Sequence, residues 1–231
     1  MRMDFLPFPR GTTAKGDKDG NVIGSLLFFN GKGKPLLDAL CNESERAQVL
    51  IGAAFIDNGL KRCLKAIFLA SGLNHDERKE LLATQRSLFG AFGAKIIACR
   101  AFGILEKGPS DAAEAIKNIR NAFAHEDFAI SLADDNKKVS DGMVTLKAWL
   151  AEVEYNVYRD DGCGKRTPLW IEELSLAGEL VNNQITERHV FLGAVIMLYL
   201  GLANIQWAID PKTYDGAVVV ATSPKSHNPE H

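Results

Sequence analysis

The chain lacks a surplus of either charge: 27 Lys+Arg face 29 Asp+Glu, for a net charge of -2 over 231 residues. A protein whose main task is to neutralise many phosphates concentrates Lys and Arg, so this balance leaves room only for a local basic patch. Cysteine is scarce as well. Cys41, Cys63, Cys99 and Cys163 stand tens of residues apart with no CxxC pair, which argues against a zinc framework or a dense disulfide scaffold and reads as thiols in a reducing cytoplasm. The histidines at 75, 125, 189, 227 and 231 include no pair at metal-ligand spacing, so no metal is expected. Gly11 and Gly16 have the separation of a phosphate loop, but Asp17 stands where a Lys is needed and no apolar strand precedes them, so no cofactor is expected either. The start, MRMDFLPFPRGTTAKG, breaks too early for a secretory signal, and the expected location is cytoplasmic.

What is present is ordinary globular composition, 46% hydrophobic and 24% charged, and helical periodicity with neither internal repeat nor βαβ alternation. The expected class is all-α. Three parts follow from the patterning: a flexible Gly-rich arm at 1–35, a single helical domain at 36–210 and a flexible tail at 211–231. Asn42 with Glu45 predicts a capping box for a long first helix reaching Ser71-Gly72, with Ala47, Leu50, Ile51, Ala54, Phe55, Leu64, Ile67 and Phe68 on its apolar side. A short polar helix follows His75. A third, AKIIACRAFGILEKG, closes at Gly108-Pro109, and a fourth opens near Asp111, capped by its carboxylate with Glu114 reaching back, and buries Ala112, Ile116, Ile119 and Phe123. Ser131 to Gly142 reads as a loop. Leu146, Trp149, Leu150, Val153 and Val157 mark a fifth helix, and Pro168 suits the first turn of a sixth through about Val181. His189 reads as the exposed shoulder of the last helix, 184–209.

That last helix carries VFLGAVIMLYLGLANIQWAI, which has no charge and length enough to raise the question of a membrane span. Asn204 and Gln206 interrupt it after a core-helix length, and no second apolar span accompanies it. A buried central helix is expected, with no membrane partner.

The block IRNAFAHED, residues 119–127, carries the candidate site. On a helical projection Ile116, Ile119 and Phe123 form the buried stripe, Arg120 sits on its shoulder, and Asn121 and His125 share the opposite flank one turn apart. Arg offers a permanent planar donor fork suited to phosphate, and His is the side chain whose ordinary pKa permits proton transfer near neutrality. Arg120, Asn121 and His125 are thus candidate binding residues, with Arg120 and His125 as the catalytic pair if the site is an enzyme's. The plainer alternative is that Asn121 and His125 terminate the helix while Arg120 pairs with an acid such as Asp57.

The segments ESERAQVLIGAAFIDNGLKRCL, SLFGAFGAKIIACRAFGIL and AIKNIRNAFAH resemble, in order and spacing, the mannitol operon repressor (MltR-like) family, over a core of about 42–130. The segment 133–181 is an unmatched insert. The resemblance implies an all-helical negative regulator of gene expression that acts through a protein partner and has no DNA-reading domain of its own, and no helix-turn-helix with a basic recognition helix is present. The same block is similar to the Arg-x4-6-His motif of the HEPN superfamily of helical bundles, and a HEPN-like bundle is the expected architecture. That similarity implies the alternative function: a metal-independent endoribonuclease or toxin in which Arg120 and His125, contributed by both copies of a homodimer, act on RNA. The low basic content favours the regulator, with a protein partner, over the enzyme, with RNA; direct sequence-specific DNA binding is not expected.

Overall fold

Ser44 opens the first helix, α1 (Glu45–Ala70): its backbone is extended and its Oγ accepts from the Ala47 amide at 3.3 Å. Asn42 is therefore not the N-cap, and Glu45 closes no capping box, because its carboxylate accepts instead from the Leu132 amide at 3.2 Å. The computed structural model describes residues 40–84, 86–125, 130–156, 158–160, 166–168, 171 and 184–209. The amino-terminal arm, the tail, Val157 and nearly all of the helix expected at 168–181 lie outside them. α1 ends where expected, at Ser71, with Gly72 at a φ of +84°, a value that favours glycine.

Asn74 and Glu77 form a reciprocal capping box for α2 (His75–Leu82), the polar helix expected after His75. α3 (Phe92–Ala101) stops earlier than the sequence suggested, closed by Gly103 at φ +70°. Gly108-Pro109 belongs instead to the first turn of α4 (Lys107–His125), where a missing proline N–H leaves no intrahelical bond unmade. Asp111 and Glu114 do not cap this helix; they pair with Lys107 and Lys117 along its surface.

α5 (Lys137–Asn156) begins inside the segment that read as a loop. Asn136 Oδ1 accepts from the Lys138 amide at 3.0 Å, and Val139, Met143 and Leu146 are buried, so the helical period starts at Val139. Pro168 itself is not helical, although Ile171, three residues on, is. Pro168 ends β2 (Arg166–Pro168), which pairs antiparallel with β1 (Tyr158–Asp160), Tyr158 opposite Pro168. A two-stranded ribbon is all edge, so a residue without an N–H is tolerated there.

Thr186 precedes the last helix, α6 (Glu187–Ile209), and its amide donates to His189 Nδ1 at 2.9 Å. His189 is thereby 8% exposed, a capping partner rather than the exposed shoulder expected of it. α6 packs most extensively on α1 and also on α5 and α4. Phe191, Leu192 and Leu198 are buried with Ile56, Leu60 and Leu64 of α1 and with Ile116, Ile119 and Phe123 of α4, so α6 is the central helix expected.

Small residues on α1 set how near α6 comes. A Cβ on Gly52 would lie 3.1 Å from Val195 Cγ2, and one on Gly59 would lie 2.9 Å from Leu202 Cδ1. The buried face of α1 is accordingly Val49, Gly52, Ala53, Ile56, Leu60 and Cys63. Of the stripe expected from the sequence, Leu64 and Phe68 are buried while Leu50, Ile51 and Phe55 are half-exposed and Ala54 is exposed. The class is all-α, six helices with one short ribbon among the described residues. Among those residues no helix is long and apolar enough to cross a membrane.

Candidate functional site

α4 is amphipathic because Ala112, Ile116, Ile119 and Phe123 face the core with no exposed surface. That anchoring fixes the flank carrying Lys117, Arg120 and Asn121 and turns it toward α1 and the start of α3. Between the three helices lies a cleft of about 390 Å³. Ala53, Ala54 and Asp57 contribute the α1 wall, the turn from Gly90 to Gly93 contributes the α3 wall, and Lys117, Arg120 and Asn121 contribute the α4 wall.

Arg120 Nη1 donates to Asn121 Oδ1 at 3.0 Å, and both side chains are half-buried. The structure thus joins two of the three expected site residues, and on the cleft rather than on separate flanks. His125 is exposed on the last turn of α4 and does not line the cleft. Asp57 is not the acid that pairs with Arg120. It accepts from Lys95 Nζ at 2.6 Å, a lysine of α3 whose side chain is 4% exposed. A buried ammonium is costly without a partner, so Asp57 is committed to Lys95 and little of its charge is left to oppose Arg120.

Three sources of positive potential converge on the space. Arg120 supplies a fork of donors, Lys117 an ammonium shared with Glu114, and α3 its amino-terminal turn. Ala91, the residue before α3, offers no side chain to bond the first amides of that helix. Gly93 leaves room beside them: a Cβ there would sit 3.5 Å from Lys117 Nζ. The arrangement suits one anionic group, and it holds no imidazole for proton transfer. Among the described residues no His, Cys, Asp and Glu group could hold a metal ion.

Sequence reasoning missed Lys117, Lys95 and the Gly90–Gly93 turn. Lys117 stands one turn before Arg120 on the same helix and was within reach of a helical projection. The Asp57–Lys95 pair spans 38 residues and had no local signal. Comparisons with protein-family models, with characterised proteins and with solved structures find no match for this chain.

Proposed function

We propose that this protein is a cytoplasmic negative regulator of gene expression of the mannitol operon repressor kind, acting through a protein partner that places an anionic side chain in the Arg120–Asn121 cleft. One observation carries the reading. The three segments on which the family resemblance rests, within 43–64, 87–105 and 115–125, are separate in sequence, and all the residues lining the cleft come from them. The reading therefore locates the family's working surface in the concavity rather than in the core. The position of His125 outside the cleft supports binding over catalysis, because a general acid or base must reach the atom it serves.

The ribonuclease reading keeps one specific support: the exposed His125 ends the helix that holds Arg120 and Asn121, where a second copy of the chain would bring another Arg-His set alongside. Capture of the tagged wild type and of Arg120→Lys from the native host, with protein and RNA both identified, tests the two together. The expected result is a protein that accompanies the wild type and is lost with Arg120→Lys, since an ammonium keeps the charge but not the planar fork. RNA cleavage by the wild type in the presence of a chelator, abolished in His125→Ala, would overturn the regulator reading and establish the nuclease.

A further inference from the structure

A second concavity, of about 170 Å³, lies between α1 and α2. Lys61 and Lys65 of α1 line it with His75, Arg78 and Lys79 of α2, and Leu82 gives it an apolar part. Its lining holds four permanent cations and no carboxylate. The ion pairs among the described residues occupy Lys95, Lys107, Lys117 and Lys147, so Lys61, Lys65 and Lys79 have no counter-charge there. Nor does α2 offer Glu77, whose carboxylate accepts from the Asn74 amide at 2.7 Å.

Arg78 is held in place. Its Nη1 donates to the Leu73 carbonyl, while its Nε is screened from solvent and has no hydrogen-bond partner. A set of like charges lining one small space is unfavourable. A single acceptor-rich anion would relieve it.

We propose that this pocket binds the phosphoryl group of a small ligand, a phosphate monoester or a pyrophosphate. A phosphoryl group brings up to two charges and three acceptor oxygens in a compact body, which matches a guanidinium and three ammonium groups lining one concavity. A carboxylate would engage the same cations with one charge. Pockets that enclose a whole drug-sized ligand run to about 300–1,000 Å³; this one is smaller, so it encloses the head group and leaves the remainder of the ligand in solvent. The cations line one small concavity rather than an extended track, which favours a discrete anion over a nucleic-acid strand. The inference stands apart from the cleft and from the regulator reading, since none of the Arg120 surface takes part.

Titration with pyrophosphate at constant ionic strength, followed by calorimetry and by melting temperature, tests the site. The comparison is with the double variant Lys61→Gln, Lys79→Gln, and with Lys138→Gln, an exposed lysine on α5, as a control for net charge. The expected outcome is saturable binding that raises the melting temperature of the wild type and of Lys138→Gln, with affinity about tenfold or more weaker in the double variant. An unfolded double variant would shift the reading to Lys65→Gln alone, with the same loss expected. Absence of saturable binding to the wild type, or equal affinity in the variants, would overturn the proposal. So would tight binding of a single-stranded RNA that pyrophosphate does not displace. Vesicles of phosphatidylcholine with phosphatidic acid separate the two sources of the group: wild-type binding reversed by pyrophosphate assigns a lipid head group, and no vesicle binding assigns a soluble phosphate ester.

Discussion

Cys63 and Cys99 lie where α1, α3 and α6 meet. Cys63 Sγ donates to the Leu202 carbonyl at 3.3 Å and Cys99 Sγ reaches toward the Leu60 carbonyl at 3.9 Å. Burial pushes the Cys63 thiol from 9.0 up to about 12, against smaller lowering effects of Arg62 and a backbone hydrogen bond. Burial raises Cys99 as well, with Cys63 adding to the rise. The unfolded chain sheds the Cys63 proton near 9.0 while the folded chain keeps it to about 12, so the native state binds more protons across that window. Its contribution to stability is complete below 9.0 and declines as pH rises through about 12. Urea midpoints should fall between about pH 8 and about pH 10.5, and Cys63→Ala should flatten that fall while costing about 1 kcal/mol in packing at the lower pH. An unchanged slope in Cys63→Ala would show that other groups govern the loss. Of the site at this scale, Arg120 and Asn121 were legible because they are neighbours on one helix. The fate of Asp57 was not, since its choice of Lys95 depends on how α1 and α3 cross.

Among the elements, the buried stripe of α4, though not the start of the helix, followed its sequence closely, because Ile116, Ile119 and Phe123 are large and helically spaced. α1 did not. Its buried side interleaves Val49, Ile56 and Leu60 with Gly52, Ala53 and Gly59, weak signals in a hydrophobicity pattern, while Leu50 and Ala54 line the cleft. α5 was cut short in the sequence reading because Ser131 to Gly142 is rich in residues that favour turns, yet Val139 and Met143 already supply the helical period. Gly142 itself has a packing reason: a Cβ there would lie 2.7 Å from Ile119 Cγ1 and 2.9 Å from its Cδ1. Gly142→Ala gains about 1 kcal/mol of helix propensity but forces α4 and α5 apart at a cost of about 1–3 kcal/mol. Denaturant unfolding should therefore show a net loss, and a variant more stable than the wild type would mean that Ile119 repacks freely.

At the scale of the whole molecule, the all-α class and the central last helix were legible because a long run of large apolar side chains has no polar face to give to water. The cleft was not, since it exists only where three distant segments meet. Stability is unevenly distributed over this architecture. α6 and the facing side of α1 are buried along most of their length, whereas α2 buries only Leu82, with Leu81 half-buried against the core, and is capped by Asn74 and Glu77. Amide hydrogens of α1 and α6 should exchange only on global unfolding, and those of α2 by local opening that is far more frequent. Equal protection of the two sets in a hydrogen-exchange experiment would contradict this ranking. The capping box of Asn74 and Glu77 then acquires a kinetic meaning: it sets how often the α2 wall of the lysine-lined pocket parts from α1, and so how fast any occupant of that pocket can enter or leave.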